Sequence, residues 1–135
     1  MIAHVLRFRF KDGTSEEDFA VSMNAFRRTG QMSTVSFAVV GQYSGSAGDG
    51  YTHSAVFGLA DLEALERYMY EPAHREADFI VHPHMAKIDV FDISDEGEPD
   101  IAAKIMDIQR QRLAADPELA QLLGIVAEDG INTGH

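Results

Sequence analysis

The stretch IAHVLRFRF, residues 2–10, alternates apolar and polar positions without a break, and it constrains the fold more than any other part of the chain. A period of two belongs to a strand with one buried face, so Ile2, His4, Leu6, Phe8 and Phe10 point one way while Arg7 and Arg9 point the other. Such a strand cannot stand alone: its backbone groups need neighbours and its apolar face needs a cover. Both are readable downstream. TSEEDFAVSMNAFRRTG (14–30) sets Phe19, Met23 and Phe26 on one helical face, with Thr14 and Glu17 spaced as a capping box, Arg27 and Arg28 near the end, and Gly30 as the stop. STVSFAVVGQ (33–42) reads as a second strand, YSGSAGDG as a glycine-rich connection, and YTHSAVFGL as a third strand with Tyr51, His53, Ala55, Phe57 and Leu59 on one face. Asp61 is placed to cap a helix bearing Leu62, Leu65 and Met69, Pro72 to restart a helix through AHREADFIV, and AKIDVFDIS to form a fourth strand.

The order β-α-β-β-α-β predicts an α+β, ferredoxin-like fold: a four-stranded antiparallel sheet with helices on one face. One-sided cover leaves the other face of the sheet to account for. In the second strand Val35, Phe37 and Val39 oppose Ala38 and Val40, so both of its faces are apolar and suit burial on two sides. Sheet-to-sheet dimerisation would supply the missing cover, and a homodimer is expected.

After Asp92 the composition changes. SDEGEPD reads as a polar linker, IAAKIMDIQRQRLAA as an amphipathic helix with Ile101, Ile105 and Ile108 in phase, and DPELAQLLGIV as a shorter helix. This extension is expected to pack on its own core or on a dimer mate, the alternative being recruitment of another protein, and the final EDGINTGH is expected to fray. Residues 92–135 hold ten of the 22 acids against three of the 11 basic residues, which separates a domain over 1–93 from an acidic extension over 94–135. The net charge of −11 argues against nucleic acid and anionic membranes as partners. No cysteine is present, which excludes thiolate nucleophiles, disulfides and cysteine-ligated metals. The alternating first strand is unlike a continuously apolar signal peptide, and a cytoplasmic protein is expected.

The chemistry-bearing residues are histidines and tyrosines. His4 and His53 each share the apolar side of a strand. One such histidine is ordinarily a core residue with a satisfied hydrogen bond. Two on strands of one sheet, with His74 beyond the covering helix, raise the alternative of a shared pocket. Tyr51 and Tyr70 read as packing and rim residues, and Tyr43 as a loop residue at a pocket mouth. His82 and His84 flank Pro83 without the further ligands a zinc site needs, so a surface turn is expected and no metal. GQYSGSAGDG has no Lys-Ser/Thr and precedes a strand, which reads as a hairpin loop and not a phosphate loop.

HVLRFRFKDGTSEED, GDGYTHSAVF, YMYEPAH and VFDI, in that order over residues 1–93, resemble the stress-responsive dimeric α/β-barrel (Dabb) family. The resemblance implies homodimers whose two sheets close into a barrel, with a pocket in each subunit between sheet and helices. The plant olivetolic acid cyclase of that family closes a polyketide thioester by aldol condensation without metal or organic cofactor, using a tyrosine and a histidine in a YxxHPAH run similar to YMYEPAH here. By that resemblance Tyr68 is the hydrogen-bond donor to the developing oxyanion and His74 the base, with His4 and His53 in support. Glu71 stands where the cyclase motif has a histidine, and the acidic extension has no counterpart there. The expectation is a site for a small apolar or carbonyl-containing ligand, with no cofactor, acting as a cyclase or lyase. The alternatives are a non-catalytic ligand-binding or stress-response dimer and a cofactor-independent oxygenase.

Overall fold

The structure, a computed structural model, describes residues 1–128. The expected fraying of EDGINTGH falls almost wholly outside the described residues. Strand β1 (Ile2–Phe10) leads into helix α1 (Glu16–Thr29), followed by β2 (Phe37–Gln42), β3 (His53–Leu59), α2 (Leu62–Tyr70), α3 (Pro72–Val81), a single 3₁₀ turn (His82–His84), β4 (Met85–Ser94), α4 (Ile101–Ala115) and α5 (Pro117–Glu128). The sheet order is β2-β3-β1-β4 with every neighbour antiparallel, the ferredoxin-like arrangement that the element order predicts.

Register sets the two faces. His4 lies opposite Phe57 on one side and Asp92 on the other, and Leu6 opposite Ala55 and Val90. This face meets Met23 and Phe26 of α1, Leu65 and Met69 of α2, and Ala77 and Val81 of α3 in one apolar core. Ile105 and Ile108 of α4 belong to the same core, so the extension packs inward on its own subunit. Arg75 of α3 ties down the start of α5, reaching Asp116 at 2.7 Å and Glu118 at 3.1 Å. The opposite face of the sheet is open: Phe37, Val39, Phe91 and Ile93 are exposed, and the Phe37 ring lies over Gly58, where a Cβ would collide with it.

Local signals resolve differently from the sequence expectation at three points. The cap of α1 is Ser15, whose hydroxyl accepts from the Asp18 amide at 3.0 Å, while Thr14 donates back to the Lys11 carbonyl and closes the preceding turn. Gly30 keeps right-handed helical backbone (φ −64°); it is needed because a Cβ there would sit 2.7 Å from Cβ of Ala38. β2 begins at Phe37, because Met32–Val35 closes a turn through the Val35 amide and the Met32 carbonyl.

Candidate functional site

Tyr68 and His74 stand six residues apart, a spacing that would put them on different sides of one continuous helix. The helix is not continuous. Glu71 takes extended backbone (φ −63°, ψ 131°) and Pro72 starts α3 at its first turn, where the missing amide costs nothing. The break turns both side chains to the sheet: their rings stack with centroids 4.3 Å apart, Tyr68 being 1% and His74 4% exposed. His4 meets the other side of the phenol edge-on at 5.6 Å. On the far side of His4, Asp92 Oδ1 accepts from Nδ1 at 2.8 Å, which fixes the orientation of the ring.

Three of the four expected residues are thus brought together, and His53 is not among them. It points to the same face of the sheet, but four residues along β3 from Phe57, the partner of His4, which is about 13 Å away. There it packs among Phe8, Phe10 and Phe19, with Thr52 Oγ1 at 2.8 Å from Nδ1. Tyr43 does not sit at the mouth of this site either. It belongs to the open face, where it donates to Asp49 at 2.7 Å and accepts from Arg7, whose guanidinium also pairs with Asp89 and lies over the Tyr51 ring at 4.4 Å. Tyr70 is half exposed on the rim of an outer groove.

The structure adds residues to the cluster. His82 is 1% exposed and not part of a surface turn: the 3₁₀ turn rolls it inward while Pro83 stays outside. Asp78 stands between the two histidines of this segment, with Oδ1 at 3.3 Å from His82 Nε2 and Oδ2 at 3.7 Å from His74 Nε2, the latter too long for a hydrogen bond. Arg112 of α4 donates to Asp78 Oδ2 at 2.7 Å. The signal for Asp78 and His82 was in the sequence, since His74, Asp78 and His82 recur every four residues and share a helical face. Nothing local marks Arg112.

Electrostatics sort the two central groups. Burial pushes the Tyr68 phenol well above its usual range, and Asp78 adds to the rise. Burial lowers His74 to about 4, with Arg112, His4 and His82 acting in the same direction and Asp78 against them. At neutral pH the pair is therefore a protonated phenol beside an uncharged imidazole, one donor and one acceptor. They line a cavity of about 10 Å³ with Asp78, His82, Leu6 and Phe57, room for about one water. Outside it, a groove of about 260 Å³ runs over the α2–α3 junction, walled by Met69, Arg75 and Arg112. Among the described residues no three His, Asp or Glu side chains gather as a metal site, and no helix is long and apolar enough to cross a membrane.

Several solved structures resemble this fold. A protein of Arabidopsis thaliana is 25% identical, with a TM-score of 0.62, covering 73% of this chain and 98% of its own. A hydroxynitrile lyase from Passiflora edulis is 17% identical at a TM-score of 0.62, covering 72% and 96%. A dimeric ferredoxin-like protein of unknown function from Thermobifida fusca is 21% identical at 0.61, covering 69% and 89%. No curated protein matches the chain. Residues 2–95, which take in all four strands and the two helices that carry Tyr68 and His74, match the family described as the Stress responsive A/B Barrel Domain, or Dabb, and the chain belongs to that family.

Proposed function

We propose that the chain works as a homodimer whose subunits each bind a small carbonyl compound at Tyr68 and His74 and move a proton on it without a cofactor, an aldol-type polyketide cyclisation being the sharpest form. The observation that carries this reading is the stacked pair itself, an uncharged imidazole 4.3 Å from a protonated phenol. His74 would take the proton from a carbon flanked by carbonyls. The resulting enolate carbon attacks a second carbonyl carbon, forming the new C–C bond, and Tyr68 donates to the alkoxide that this creates. A hydroxynitrile lyase on the same fold supports lyase-type chemistry as within reach of the scaffold. The dimer is supported by the open apolar face and by fold neighbours described as dimeric. A substrate needs more room than 10 Å³ and would gain it by joining the inner cavity to the outer groove.

The test is turnover of a panel of linear polyketide thioesters and cyanohydrins by the wild type, Tyr68→Phe and His74→Ala, with dimer size checked by light scattering. Each variant is expected to lose about a hundredfold or more in kcat while staying dimeric. Full activity in both variants overturns the reading. A second reading, a non-catalytic ligand-binding dimer, is favoured by the small inner cavity. Under it the wild type consumes none of these compounds and His74→Ala changes only melting temperature or ligand affinity.

A further inference from the structure

The family match ends at residue 95, yet two side chains from beyond it grip the centre of the site. Gln109 Nε2 lies 3.5 Å from Asp92 Oδ2, the carboxylate whose other oxygen accepts from His4. One turn later, Arg112 Nη2 donates to Asp78 Oδ2 at 2.7 Å, the carboxylate between His74 and His82. The i, i+3 spacing puts both on the inner side of α4 with Ile105 and Ile108, and both are buried, Arg112 to 4% exposure. A buried guanidinium is costly unless paired, and Asp78 is its partner. The pairing is reciprocal, since a buried carboxylate with a fixed cation keeps its charge and its orientation. A carboxylate so held orients the His82 imidazole, which is within hydrogen-bond reach, and sets the charge that the more distant His74 ring feels.

We propose that Arg112 is a positioning residue of the site, contributed by the C-terminal extension: it fixes Asp78, and Asp78 in turn orients His82 and acts on His74 through its charge, so the site in this chain is complete only with α4 docked. The proposal rests on the proton-transfer reading of Tyr68 and His74 for its functional meaning. Its geometry does not depend on that reading. The charged and titratable groups packed around His74 are Tyr68 from α2, Asp78 and His82 from α3 and the turn after it, His4 from β1 and Arg112 from α4.

The experiment is imidazole-resolved NMR titration of the full-length protein, wild type against Arg112→Met and Arg112→Lys. Loss of the guanidinium charge is expected to raise the His74 midpoint by about one pH unit and to move the His82 ring nitrogens, while Arg112→Lys restores most of the shift. In a turnover assay Arg112→Met is expected to lose about tenfold in kcat with little change in KM. Folded Arg112→Met with both imidazoles unmoved overturns the proposal, whatever its activity. Where Arg112→Met does not fold, Arg112→Gln keeps a donor to Asp78 without the charge, and the same two signals decide. If the imidazoles move but the wild type turns over no carbonyl compound, the catalytic reading falls and the positioning role stands.

Discussion

His74 carries a consequence for stability as well as chemistry. Its pKa lies near 4 in the folded protein against 6.5 when exposed, because burial disfavours the imidazolium. Between these values the unfolded chain binds a proton that the native state refuses, so stability is full above pH 6.5 and falls as the pH drops toward 4. The loss amounts to about 3 kcal/mol over that window. Denaturant unfolding from pH 4 to 7 is expected to show this slope in the wild type and to lose that much of it in His74→Gln. The residues of the pair were legible in YMYEPAH, but their convergence depends on the backbone break at Glu71. His53 shows the limit of strand parity, which tells the face a side chain points to and not how far along the sheet it lies. His82 was misread because Pro83 marks a turn without saying which of its neighbours turns inward.

Among the elements, the three helices of the family region were legible in outline and less so at their ends. Asp61 caps α2 as expected, accepting from the Ala64 amide at 2.9 Å. The cap of α1 slid by one residue because Thr14 finds a nearer partner in the Lys11 carbonyl, leaving Ser15 to take the helix. Gly30 was read as a helix stop, and its backbone would accept any residue. What it permits is the close approach of α1 to β2, a distance no local pattern reveals. Gly30→Ala is therefore expected to destabilise by about 1–3 kcal/mol by pushing α1 off Ala38, measured as a lower denaturant midpoint. A stability gain, the outcome for an unhindered helical glycine, would show that α1 and β2 move apart freely.

Across the whole molecule, the sheet is buried on one side by four helices and bare on the other. Val39 and Ile93 are 64% and 59% exposed, and Phe37 flattens against Gly58 so that the surface it presents is broad. Two such surfaces meeting would bury the second face that the pattern of β2 requires. Val39→Asp with Ile93→Asp is expected to give a monomer by sedimentation velocity where the wild type gives a dimer; an unchanged dimer would place the interface elsewhere. The α+β order, the one-sided cover and the amphipathic character of the extension could be read from periodicity, since each depends on which residues are apolar and how they are spaced, whereas its docking on its own core instead of a dimer mate could not. The pairing of Arg112 with Asp78 spans 34 positions and has no periodic trace.

That pairing bears on where the chain can be cut. An expression fragment trimmed to the boundary of the homologous region would keep every strand and both motif helices, yet take the guanidinium away from Asp78, with the ledge vacated by Ile105 and Ile108 open to water beside it. Such a fragment would look whole in an alignment and be a poor surrogate at the bench.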